Sequence, residues 1–212
     1  MFNTPLNSAC FLDKKTMRQN RGASLIIVML ILVVVSILGV GSIQIAMMAE
    51  RGTRNDRDMQ LAWQAAEAAL VDAEFDIEGL PASSGSKRNN IFKLSQTDTT
   101  KFIENCGTSG ESIGLCSLNE TDRSAWITVD FTVTGSKAAT TSFGQFTERQ
   151  FPSGEAGIQP AKPPRYIIEP IPDPNYSRTL EPVGMKYIYR VTAMGFGPSE
   201  KTQAVLQMVY RN

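Results

Sequence analysis

From Ala23 to Ala49 the chain places 27 consecutive residues without a single charge, and Leu25–Val35 within it is almost pure Leu, Ile, Val and Met. The run exceeds the ~20 apolar residues that cross a bilayer's hydrocarbon core. It reads as a membrane-spanning helix. Just upstream lie Lys14, Lys15, Arg18 and Arg21 against a lone Asp13. By the positive-inside rule, that leader stays in the cytoplasm and the remainder faces the other side.

A secretory signal peptide competes with this reading, but it would show a shorter apolar core followed by a small-residue cleavage site. Here the run is too long, and Ala46–Glu50 is a poor site. Hydropathy alone therefore leaves a plain bitopic anchor open. The junction adds to it: Gln19-Asn20-Arg21-Gly22-Ala23-Ser24-Leu25-Ile26 joins a basic leader ending in Gly to the apolar run. This resembles the class III signal of type IV pilins. The resemblance implies cleavage after Gly22 by a prepilin peptidase, with Ala23 becoming the first, N-methylated residue. It also implies that Leu25, Ile26, Ile27, Val28, Leu30, Ile31, Leu32 and Leu38 serve as membrane and filament packing surface.

No proline separates Pro5 from Pro81, so nothing in the sequence breaks a helix over Ala23–Glu78 before Gly79-Leu80-Pro81. Unbroken, those 56 residues would reach roughly 84 Å at about 1.5 Å per residue. In the second half Met59, Trp63, Ala66, Leu70, Ala73 and Ile77 recur at alternating spacings of 4 and 3. That stripe is expected to pack against a globular head, with Gln60, Gln64, Glu67, Asp72, Glu74 and Glu78 mostly on the remaining surface. Arg51, Arg54 and Arg57 are balanced by Glu50, Asp56 and Asp58, a solvated surface rather than a nucleic-acid or lipid site.

The segment Arg21–Glu74, with Gln60-Leu61-Ala62-Trp63-Gln64-Ala65-Ala66-Glu67-Ala68-Ala69, is similar to the N-terminal region of the PilX minor pilins. Pro163–Arg211 resembles their C-terminal region. The fifth residue after the junction is Ile27, where most type IV pilins have a glutamate. A carboxylate inside a bilayer needs a partner, in that family the amino terminus of the subunit already assembled. A chain with Ile27 suits a position without a predecessor, at a filament tip or in a priming complex. Tip-capping pseudopilins of type II secretion share the trait but usually carry a larger head. The partners implied are other minor pilins, the major pilin, prepilin peptidase, the inner-membrane assembly machinery and, before assembly, the lipid bilayer.

The remaining 134 residues, 79–212, suffice for one domain. The fold class expected is α+β, the helical spine packed on a small antiparallel sheet. Ser83–Thr121 reads as loop with short elements, rich in Ser, Thr, Asn and Gly. Ile127, Val129, Phe131 and Val133 alternate with polar residues and predict a half-buried strand. Eight of eleven prolines lie from Pro152 to Pro182, an extended connection with Tyr166-Ile167-Ile168 as a candidate edge strand. Tyr187–Ala193 and Gln203–Tyr210 flank a Gly/Pro turn at Met194–Lys201, predicting a hairpin. If the leader carrying Cys10 is removed, Cys106 and Cys116 are the only cysteines left. Outside the cytoplasm they are expected to form a disulfide, two free thiols being the alternative.

Enzymatic classes thin out on composition. The chain has no histidine, which removes His-based triads and the His-ligated zinc and iron sites, and three cysteines cannot fill a four-thiolate site. No nucleophile has an evident partner, and no cofactor or metal is expected. Gly195-Phe196-Gly197 lacks the helix and lysine of a phosphate loop and is expected in the hairpin turn. Glu169, Asp173 and Glu181 match no calcium loop and read as solvated carboxylates. The chain's 21 basic and 21 acidic residues hide a leader of net +3 and a remainder of net −3, giving no direct nucleic-acid site.

Overall fold

The computed structural model describes residues 23–80, 87–93, 97–118, 124–154, 158–175 and 186–211. It divides into two compact units, one up to Arg51 and one from Gly52 onward. Helix α1 is Ala23–Glu78. In the first unit its apolar side chains are exposed all round, and an 18-residue window reaches a mean hydropathy of 3.0. The two serines there turn their hydroxyls back onto the helix, Ser36 to the Leu32 carbonyl at 2.7 Å and Ser42 to Leu38 at 2.8 Å. Hydroxyls satisfied in this way suit an apolar surround. Gly79 ends the helix at φ +81°, with its N–H and that of Leu80 both donating to the Phe75 carbonyl.

In the second unit, α1 from Gly52 packs on an antiparallel sheet of order β1-β2-β3-β4. The strands are β1 Thr141–Ser142, β2 Arg165–Pro172, β3 Tyr187–Phe196 and β4 Gln203–Tyr210. The architecture is the α+β arrangement of a pilin. On the helix side, Ala69, Ala73 and Ile77 meet Tyr166, Ile168, Tyr189, Val191 and Ala193, with Phe92 set edge-on to Tyr189 at 5.2 Å. On the far side, Ile167 packs with Ala125, Phe131 and the half-cystines Cys106 and Cys116. Those two cysteines are bonded across ten residues. The loop they close leans on β2, where the Cys116 N–H donates to the Ile168 carbonyl at 2.9 Å. Closing a loop of this size stabilises by about 2–3 kcal/mol through the unfolded state.

Several expectations need correction. The predicted strand over Ile127–Val133 is instead a 3₁₀ turn at Ala125–Ile127 followed by irregular chain. Phe131 is buried as its alternation implied, but Asp130 accepts from the Thr132 N–H at 2.8 Å and closes a local turn. Such side-chain bonds offer the backbone an alternative to a sheet ladder. Tyr166–Ile168 lies in β2 but is no open edge, since β1 pairs with Arg165 and Tyr166 and Leu115 bridges to Ile168. The hairpin forms, although β3 runs on through Gly195 and Phe196, so these residues lie in strand rather than turn.

The helix stripe is corrected as well. Ala66, Ala73 and Ile77 are buried and Leu70 packs half-buried against the core, but Met59 is 38% exposed and Trp63 48%. The face that meets the sheet is made of small residues, Ala62, Ala65, Ala66 and Ala69. Its cause is close approach: a side chain on Gly195 of β3 would overlap the backbone of Ala62 and Ala66. Bulky Met59 and Trp63 cannot enter so narrow a gap.

Candidate functional site

Along α1, the turn after the alanines places Asp72 and Asp76 on the same buried face, four residues apart. The sequence placed Asp72 on the surface; its side chain is fully buried. Each acid gathers a different part of the head. Asp76 receives Arg88 through Nε at 2.9 Å and Nη2 at 2.5 Å, and the Tyr166 hydroxyl at 2.8 Å. The other guanidinium nitrogen of Arg88 donates to the carbonyls of Glu111 and Ile113 at 3.0 and 2.6 Å, and Arg88 Cζ lies over the Phe146 ring, 3.9 Å from its centre. Burial pushes the Tyr166 hydroxyl well above its ordinary pKa, so it stays a donor to Asp76.

Asp72 accepts from the Gly144 N–H at 2.7 Å and the Thr147 hydroxyl at 2.5 Å, with Arg149 at 3.5 Å. Arg149 is sandwiched by Phe75 and Phe143, 4.7 and 5.0 Å from their ring centres. Two carboxylates on one helix thereby fasten Arg88, the Thr141–Arg149 segment and β2 to the spine. Across the sheet, Glu169 accepts from Arg190 Nε and Nη2 at 2.9 and 3.0 Å and from the Ala125 N–H at 2.7 Å. Asp173 accepts from Arg211 at 3.1 Å. These two are buried and paired rather than solvated, since Arg190 and Arg211 supply what water would. Glu181, Cys10 and Gly22 lie outside the described residues. Among the described residues no cluster of acids and cysteines could hold a metal.

Burial raises the pKa of Asp72 above the ordinary carboxylate value, more than its hydrogen bonds to Thr147 and Gly144 lower it. The native state therefore holds that proton at a pH where the unfolded chain has released it, so stability contributed here grows as pH falls through the raised value. We expect Asp72→Asn to remove this increment: its urea midpoint should change less than wild type between neutral and mildly acidic pH. An unchanged pH dependence in the variant would assign the effect elsewhere.

The second group, Leu25, Ile26, Ile27, Val28, Leu30, Ile31, Leu32 and Leu38, is exposed throughout in the first unit. Residues 21–71 match the PilX N-terminal profile, and residues 50–212 match that of the type IV pilus assembly protein PilX C-terminal region. The chain belongs to the PilX family. Neither a curated protein nor a solved structure matches it. PilX proteins are structural and assembly components of type IV pili, associated with the assembly system and other pilins. The apolar half of α1 fits a membrane anchor in such a protein.

Proposed function

We propose that this PilX protein is a minor pilin, processed after Gly22, that enters a tip or priming complex and initiates assembly of a type IV pilus. Before assembly it is held in the inner membrane by the helix from Ala23, with its head in the periplasm. The reading rests chiefly on Ile27. A lipid-exposed glutamate there would seek a cation on a neighbouring subunit, whereas an isoleucine lets the helix enter a bundle with no subunit ahead of it. Ordering then falls to aliphatic packing along Leu25–Leu38 against other minor pilins and the major pilin, and to contacts between heads. Twitching motility, adhesion or DNA uptake would follow from the filament rather than from chemistry in this chain.

The test is the mass of the amino-terminal peptide of protein recovered from membranes. An N-methylated Ala23 is the expected terminus. An intact Met1, or a cut beyond Ala49, would sink the pilin reading, and pili sheared from cells without this protein would remove the tip assignment.

A further inference from the structure

The two edges of the sheet are treated differently. At the β2 edge the backbone is covered by β1 and by the bridge from Leu115, and β2 carries Pro170 and Pro172. These are the ordinary means of blocking unwanted strand pairing. β4 has none of them. Gln-Ala-Val-Leu-Gln-Met-Val-Tyr is eight residues without a charge, a proline or a glycine. Among the described residues no strand lies beyond it, and no backbone hydrogen bond reaches it from outside the sheet. In an antiparallel pair, alternate residues of an edge strand aim N–H and C=O outward.

The two sides of this edge have different chemistry. Away from the helix, Val205 is 44% and Val209 60% exposed, and Trp126, 41% exposed, forms a groove with Val205, Leu206 and Gln207. Toward the helix, the Tyr210 hydroxyl donates to Glu78 at 2.5 Å, and Glu74 stands one turn earlier on α1. Burial first, and then Glu78 and Glu74, pushes the Tyr210 hydroxyl up to about 12.

We propose that β4 is a strand-addition site for an extended segment of another protein, apolar on the face toward Trp126, Val205 and Val209 and basic on the face toward Glu74 and Glu78. Backbone hydrogen bonds would supply the affinity and the two faces the selectivity. A second copy is a poor occupant, because its own β4 carries no cation and would bring a second Glu74–Glu78 pair against the first. The inference concerns the head alone and stands whether or not the tip reading holds.

The experiment uses the full chain in detergent micelles and labelled ten-residue peptides, read by fluorescence anisotropy. An alternating Val/Lys peptide should bind at least tenfold tighter than an alternating Val/Glu one. Methylating alternate backbone nitrogens of the Val/Lys peptide keeps its charge and should cost at least tenfold. So should Val205→Lys combined with Val209→Lys, both exposed sites, with an unchanged melting temperature. Glu74→Gln should weaken binding severalfold and flatten its salt dependence. Equal binding of the Val/Lys and Val/Glu peptides, indifference to N-methylation, or no binding by either would overturn the proposal. So would sedimentation showing a wild-type dimer that the double lysine variant abolishes, since the occupant would then be a second copy.

Discussion

Replacing Arg88 with methionine should lower the stability of the head by about 3–5 kcal/mol, the cost of removing one partner from a buried ion pair. The change removes every bond Asp76 receives from the guanidinium and leaves its carboxylate, already sealed from water, with the Tyr166 hydroxyl as its one remaining partner among the described residues. It also takes the guanidinium donor from the Glu111 carbonyl, while the Ile113 carbonyl keeps the Thr141 hydroxyl at 2.9 Å. Asp76→Asn keeps the shape but strands the opposite charge, and should cost a similar amount. The double variant Asp76→Leu with Arg88→Met should be less destabilised than the single changes Asp76→Leu and Arg88→Met added together, because neither charge is then buried alone. Urea denaturation of the detergent-solubilised chain measures all four. A single Arg88→Met cost below about 1 kcal/mol would show that water or a rearranged side chain takes the place of the guanidinium. A loss near 4 kcal/mol is a large part of the 5–15 kcal/mol that ordinarily holds a domain together, so this variant should also fail to accumulate in the membrane.

The same pair shows where the sequence stops being informative. Helix α1 was legible because its signals are local: an uncharged run, no proline over nearly sixty residues, and a Gly-Leu-Pro stop. The β3–β4 hairpin was legible for the same reason. Asp72 and Asp76 carry no local mark. Arg88 is twelve residues from Asp76, while Thr147 is 75 from Asp72 and Tyr166 is 90 from Asp76, so each acid looks like one more polar residue on a helix surface. The alternation at Ile127–Val133 misled in the opposite sense. Period two was present, but β1 and Leu115 already occupy the β2 edge, and Asp130 closes a local turn with the Thr132 N–H in place of a ladder. Met59 and Trp63 share the spacing of the stripe but not its burial, because they are too large for the gap between helix and sheet. The run Ala62, Ala65, Ala66, Ala69, Ala73 was the better guide to the buried face, since a helix pressed closely on a sheet must present small side chains.

That close approach yields the second large effect. Gly195→Ala adds one methyl group, yet it should destabilise the head by about 3 kcal/mol, at the upper end for overpacking. The new Cβ would meet the carbonyl oxygen of Ala62, the amide nitrogen of Ala66 and, at 3.0 Å, the carbonyl carbon of Ala65. All three are backbone atoms of α1, so no rotamer change relieves the overlap and the helix must lift from β3. Trimming the opposing side chain should not help: Gly195→Ala with Ala62→Gly should be no more stable than Gly195→Ala alone, because the obstructing oxygen remains. Gly52→Ala is the control, since a Cβ there meets nothing within 4 Å. It should stabilise the helix by up to ~1 kcal/mol on propensity alone. Thermal melts of the three variants separate the cases, and recovery in the double variant would mean that side chains rather than backbone set the spacing. If backbone sets it, lifting the helix also loosens Asp72 and Asp76 from their partners. Gly195→Ala should then lose the pH response attributed to Asp72, although Gly195 is not itself a hydrogen-bond partner of either acid.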